Sequence, residues 1–127
     1  MRILVTGAQG FLGGHIVDQL FKSNITVLAT GRREAENTLV CNLSNAKEVQ
    51  NLINVTAPDR IIHCAANVPK NLNEYSDEKS AKENLDMLDL VLEASSCPII
   101  LVSSMTVYGE GVLQAVSENQ AGSATTA

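Results

Sequence analysis

Tryptophan is absent from this chain, and tyrosine and phenylalanine occur twice each. Any core must therefore be aliphatic, and 45% hydrophobic residues in a chain of 127 are enough for one domain to build it. Basic residues are also scarce. Nine Lys and Arg stand against 14 Asp and Glu, for a formal net charge of −5, and they form no stripe. That excludes the electrostatic footprint of a nucleic-acid binder. No apolar run approaches the length of a membrane span, so no membrane partner is expected. The first predicted strand begins at residue 2 or 3, so no signal peptide is expected ahead of it. Cys41, Cys64 and Cys97 form an odd set without paired spacing, and neither a C-x-x-C nor a histidine cluster accompanies them. Reduced, mostly buried thiols in a cytoplasmic protein are expected, with no metal site.

What is present is concentrated at the start. The apolar run Ile3-Leu4-Val5 leads directly into Gly7-x-x-Gly10-x-x-Gly13, and a helical pattern follows at once. Strand, glycine turn and helix in that order form a cradle for a dinucleotide pyrophosphate. Gly7 permits the tight turn, Gly10 lets the backbone approach the phosphates, and Gly13 allows close packing of helix on strand. The helix start offers unpaired N–H groups and the positive end of its dipole to an anion. The alternative for the same residues is a tight strand–helix turn without a ligand.

Strand and helix signals then alternate. Strands are predicted over 2–5, 25–30, 38–40, 60–64 and 99–103. Helices are predicted over about 10–22, 45–55 and 75–95. The first helix carries Phe11, Leu12, Ile16, Val17, Leu20 and Phe21 as its stripe, the second Val49, Leu52 and Ile53, and the third Leu85, Leu88, Val91 and Leu92. Residues 67–73 read as a loop around Pro69. Repeated β-α-β units with continuously apolar strands imply an α/β fold: a doubly wound parallel sheet of Rossmann type in the order 3-2-1-4-5. Ligand is expected across the carboxyl ends of strands one and four, where the order reverses. A dinucleotide-binding domain is expected over residues 1–116 and a small, polar, flexible tail over 117–127.

Four segments together resemble the extended short-chain dehydrogenase/reductases, the group of nucleotide-sugar epimerases and dehydratases. They are the turn Thr6-Gly7-Ala8-Gln9-Gly10-Phe11-Leu12-Gly13, Asn42-Leu43 after strand three, His63-Cys64-Ala65-Ala66 at the end of strand four, and Ser103-Ser104-Met105-Thr106-Val107-Tyr108-Gly109. The resemblance implies that Gly7, Gln9, Gly10, Phe11, Leu12 and Gly13 lie on the cofactor. It also implies Asn42 and Leu43 beside the adenine, and Cys64, Ala65 and Ala66 along a ribose. Asn42 stands where the family usually has Asp, keeping an acceptor and adding a donor. Ser104 aligns with the catalytic serine that polarises the substrate oxygen. His63, on an apolar strand, is expected to be a hydrogen-bonded core residue, and without the other motifs Ser103 and Ser104 would read simply as a cap on the end of strand five.

An NAD site usually has a carboxylate at the end of strand two. Here that strand ends Ala29-Thr30-Gly31-Arg32-Arg33. Two guanidinium groups suit a 2′-phosphate, so NADP is preferred and NAD is the alternative. A solvated Arg pair, neutralised by Glu34 or Glu36, is the competing view. The family's chemistry also needs a Tyr-x-x-x-Lys pair after the serine, one strand–helix unit on. No Lys or Arg follows Lys82, so this sequence lacks it. Tyr75-x-x-x-Lys79 has the right letters, but it precedes Ser104 and reads better as a helix start. The expected protein is thus the cofactor half of a longer, truncated epimerase or dehydratase. Its parent would take a sugar-nucleotide substrate, and the resemblance allows a homodimer. The other readings are a non-catalytic NADP(H) redox-sensing module and a remnant without a ligand.

Overall fold

The computed structural model describes residues 1–68, 78–108 and 115–119. Five strands form one parallel sheet in the order β3-β2-β1-β4-β5. They are β1 (Arg2–Thr6), β2 (Thr26–Gly31), β3 (Thr38–Val40), β4 (Arg60–His63) and β5 (Ile99–Leu101). The helices are α1 (Phe11–Lys22), α2 (Ala46–Thr56) and α3 (Glu78–Ala94), and a short 3₁₀ helix spans Met105–Tyr108. The order and the element types match the sequence expectation. β4 and β5 stop earlier than expected, at His63 and Leu101. The expected tail lies outside the described residues beyond 119, as do residues 69–73 of the loop around Pro69 and Tyr75 of the out-of-place motif.

β1 is central because its residues can be buried on both faces. Ile3, Leu4, Val5 and Thr6 are all buried, as a parallel strand covered by helices requires. Leu4 joins Ile61, Cys41 and Leu43 under Val49, Leu52 and Ile53 of α2 and Met87 and Val91 of α3. α2 starts cleanly because the Asn45 side chain accepts the N–H groups of Lys47 and Glu48. Glu48 in turn accepts from the Asn45 amide at 3.0 Å and from the Asn42 N–H at 2.7 Å. β2 returns to β3 through residues 32–37 without a helix, helped by a left-handed Asn37 (φ 55).

Two helical stripes differ from expectation. α3 buries Met87 and Val91, with Leu90 and Ala94 packed beside them, and leaves Leu85 and Leu92 exposed. Val91 of the expected stripe is thus buried and Leu88 half-buried, while packing on α2 turned the buried face toward Met87 and away from Leu85 and Leu92. On α1, Phe11, Leu12 and Phe21 are exposed; Ile16, Val17 and Leu20 are half-buried and Gly13 is its buried residue. β1 and β4 are tied at their carboxyl ends. His63, 2% exposed, shares a 3.0 Å hydrogen bond between Nδ1 and Thr6 Oγ1, which also accepts the Ala65 N–H at 3.3 Å. His63 is a core residue, as the sequence suggested.

Removing the Ile61 side chain from this core should cost about 2–5 kcal/mol. Urea unfolding of Ile61→Ala measures this, and a loss below about 1 kcal/mol would contradict the packing described. Burial holds the His63 imidazole below its ordinary pKa of 6.5. The unfolded chain therefore takes up a proton that the folded chain resists. This contribution to stability is complete above pH 6.5 and is lost as the pH falls from there toward the folded pKa. The urea midpoint should drop over that window in the parent and less in His63→Gln; equal slopes would contradict it.

Candidate functional site

At the carboxyl ends of β1, β2 and β4 the sheet opens into a cavity of about 700 Å³. That lies within the 300–1,000 Å³ range typical of small-molecule sites. Its floor is the turn between β1 and α1. Gly7 has φ +66, and a Cβ there would sit 2.7 Å from the Ala65 backbone nitrogen. A side chain is thus excluded twice, by conformation and by the neighbouring strand exit. A Cβ on Gly13 would come within 2.2 Å of the Gly7 carbonyl oxygen. The sequence suggested that Gly13 brings helix to strand; the crowding is instead between helix and turn. Both glycines let three segments meet at backbone distance.

The turn is also fastened from the side. The Ala8 N–H donates to the Thr30 carbonyl at 3.1 Å, and the Gly10 N–H to the Gly7 carbonyl at 2.9 Å. Gly10 caps α1 without a side-chain acceptor, and no acidic residue occupies the first helical turn. The first N–H groups of a helix have no partner within it. Here they open beside the cavity with the positive dipole end behind them. A phosphate fits this arrangement, because it supplies acceptors and negative charge together.

Most of the expected residues meet here. Gly7, Gln9, Gly10, Phe11, Leu12 and Gly13 line the cavity from the turn, and Arg32 and Arg33 from the end of β2. Leu43 lines it after β3, and Cys64, Ala65 and Ala66 after β4. Asn42 does not line it. Its side-chain oxygen accepts the Ser44 N–H at 3.1 Å, which commits it to the turn entering α2. Ser104 is not in the lining either. It is exposed after β5, and its carbonyl accepts the Val107 N–H at 3.2 Å.

The cavity also takes in Thr30, Gly31, Cys41, Asn67, Val68 and Met87, which were not expected in its lining. Gly31 carried a readable signal, a glycine directly before two arginines. Asn67 carried none. Its N–H donates to Asn84 Oδ1 at 2.7 Å, its amide donates to Glu83 Oε2 at 3.0 Å, and its carbonyl accepts from Asn84 Nδ2 at 3.1 Å. These bonds hold the exit of β4 against α3. The thiols are walls rather than nucleophiles. Burial, helped by the Glu48 charge, pushes Cys41 up to about 11, and burial raises Cys64 as well.

Charge at the site comes from Arg32 and Arg33, both exposed at the rim. Among the described residues the ion pairs lie on α3, between Lys79 and Glu83 at 4.0 Å and between Lys82 and Asp86 at 2.9 Å. Glu34 and Glu36 therefore do not pair with the two arginines. Where a carboxylate would select a ribose 2′-hydroxyl, Gly31 presents no side chain at all.

This geometry has counterparts in known proteins. Residues 3–126 match the NAD dependent epimerase/dehydratase family. UDP-glucuronic acid decarboxylase 6 of Arabidopsis thaliana is 30% identical over 131 residues, covering 94% of this chain and 38% of that protein. A decarboxylating sterol-4-alpha-carboxylate 3-dehydrogenase of Dictyostelium discoideum is 29% identical over 122 residues, covering 87% of this chain and 36% of the relative. The UDP-glucose 4-epimerase of Thermus thermophilus, solved in complex with NAD, superposes with a TM-score of 0.81 at 22% identity. That alignment covers 99% of this chain and 45% of the other. The chain thus spans less than half the length of these proteins. On the match across nearly its whole length, this chain belongs to the NAD dependent epimerase/dehydratase family.

Proposed function

We propose that this chain is the dinucleotide-binding part of an enzyme that acts on a nucleotide sugar, and that it favours NADP(H). One observation carries the reading: a cavity at the carboxyl ends of β1 and β4, floored by a glycine turn with no room for a side chain at Gly7 or Gly13 and by the start of α1, which no side chain among the described residues caps. The pyrophosphate would lie over Gly10 and the first N–H groups of α1. The adenosine end would lie toward Arg32, Arg33 and Leu43, and the nicotinamide end toward Cys64, Ala65 and Ala66. The bound dinucleotide would supply hydride chemistry. The chain's own residues would bind it, orient it and wall it from water. The nucleotide-sugar substrate is supported by the Arabidopsis relative's name, and dinucleotide use by the Thermus complex with NAD.

The preference for the 2′-phosphate rests on local charge. Gly31 removes the acidic selector, and next to it stand two guanidinium groups that form no ion pair with the described residues. Ser104 would polarise the substrate oxygen in an assembly that brings a Tyr-x-x-x-Lys pair, which this sequence lacks after Ser104. Asn42 remains a proposed adenine neighbour through its side-chain amide, as the resemblance implies. Three unpaired cysteines support a cytoplasmic setting. Exposed Leu85 and Leu92 support self-association through α3.

The test is a fluorescence titration of the 127-residue chain with NADPH and NADH. Saturable binding, tighter for NADPH, is expected; no binding of either would overturn the proposal. Replacing Arg32 and Arg33 together by Ala should weaken NADPH binding about tenfold or more, since charged hydrogen bonds to the phosphate are lost, and should weaken NADH binding less. Equal weakening of both would return the arginines to the role of solvated charge. Steady oxidation of NADPH by the chain in the presence of a keto-sugar nucleotide is not expected. Turnover above the uncatalysed rate would show that another group supplies the proton.

A further inference from the structure

Gln9 lies in the glycine turn and Arg33 in the β2–β3 loop, 24 residues further on. The two are joined at two points. Gln9 Nε2 donates to the Arg33 carbonyl at 2.5 Å, and Gln9 Oε1 accepts the Arg33 N–H at 3.2 Å. One side-chain amide thus pairs with both backbone groups of one residue. Only one orientation of the amide does this, since the flipped form would face donor to donor and acceptor to acceptor.

Gly31 makes the clamp possible. A Cβ built there would stand 2.5 Å from both Cδ and Oε1 of Gln9. The Gln9 amide therefore crosses the space that a side chain at the end of β2 would fill. Beyond Arg33, Thr38 holds the far end of the loop, its N–H donating to the Ala35 carbonyl at 3.2 Å and its hydroxyl to the Glu36 carbonyl at 3.3 Å. Residues 32–37 are all exposed and contain no helix. An unfastened loop of this kind would have to be ordered when a ligand reached its arginines, and that ordering opposes binding.

We infer that Gln9 is a positioning residue for cofactor selectivity: by clamping Arg33 to the pyrophosphate turn, it pre-sets the Arg32–Arg33 pair for a ribose 2′-phosphate. This inference rests on the dinucleotide site proposed above. It gives Gln9 a role through Arg33 rather than through direct contact with the cofactor. It also gives Gly31 a second function, since leaving out the carboxylate and leaving room for the clamp are one change.

The test uses the 127-residue chain and the variants Gln9→Ala, Gln9→Met and Gly31→Ala. Gln9→Met keeps the side chain's bulk and removes its hydrogen bonds. Gly31→Ala keeps Gln9 but displaces it. Amide hydrogen exchange without cofactor reads the clamp, and the ratio of NADPH to NADH affinity reads its consequence. In all three variants the Arg33 N–H should exchange faster, and the ratio should fall about fivefold, in line with the loss of two neutral hydrogen bonds. In a background of Arg32→Ala with Arg33→Ala, adding Gln9→Ala should leave the ratio where it is, because the arginines it positions are gone.

Unchanged Arg33 exchange in Gln9→Ala and Gln9→Met would overturn the clamp, whatever the affinities do. Faster exchange with an unchanged ratio, in a parent that does discriminate, would overturn the selectivity role and leave the NADP reading standing. An equal fall of the ratio in the arginine-less background would show that Gln9 touches the cofactor directly, which also overturns the inference. A parent that binds both dinucleotides without discrimination would overturn the NADP reading and the selectivity role together.

Discussion

The carbonyl oxygen of Gly7 and the α-carbon of Gly13 approach so closely that a Cβ on Gly13 would stand 2.2 Å from that oxygen. The site is arranged around this contact. It presses α1 onto the turn, and the turn, through Gly7, onto the exit of β4 at Ala65. The helix start can then face the cavity at the point where the sheet order reverses. Larger side chains at either glycine would part the three segments and move the helix N–H groups away from any phosphate. The hydrogen bond between Thr6 and His63 and the Ala65 N–H bond to the same hydroxyl hold β1 and β4 in the register that this approach needs.

From that fixed floor the cavity is built by short connections. Ala8 bonds to Thr30, Gln9 to Arg33 and Cys41 to Gly31, so the ends of β1, β2 and β3 form one hydrogen-bonded rim. On the other side Asn67 binds Asn84 and Glu83, which joins the exit of β4 to α3. The apolar layer under α2 and α3 makes this rim rigid from below, with Cys41, Leu43 and Met87 shared between core and cavity wall. Binding surface and folding core are therefore continuous.

Sheet order, element types and the glycine turn were legible in the sequence because each is local or periodic. Continuous apolar strands declare a parallel sheet, and glycines between strand and helix declare a turn. The faces of α1 and α3 were less legible. Val91 was read correctly, but Leu85 and Leu92 are as apolar as Met87, and only the position of α2 determines which of them is buried beside it. The local bond of Asn42 was hidden for a related reason. Its place after β3 suited a ligand, but its side chain caps the local turn, and such competition does not show in spacing. The Gln9 clamp and the Asn67 contacts depend on residues 24 and 17 apart, and no sequence period encodes them.

On the reading proposed above, the Gly7–Gly13 turn and the start of α1 hold a dinucleotide pyrophosphate. A crystal structure of this chain grown with NADP would decide it. Density for the pyrophosphate is expected over Gly10, within hydrogen-bonding reach of the first N–H groups of α1, with the 2′-phosphate beside Arg32 and Arg33. A dinucleotide bound elsewhere on the chain, with the turn left to solvent, would contradict it.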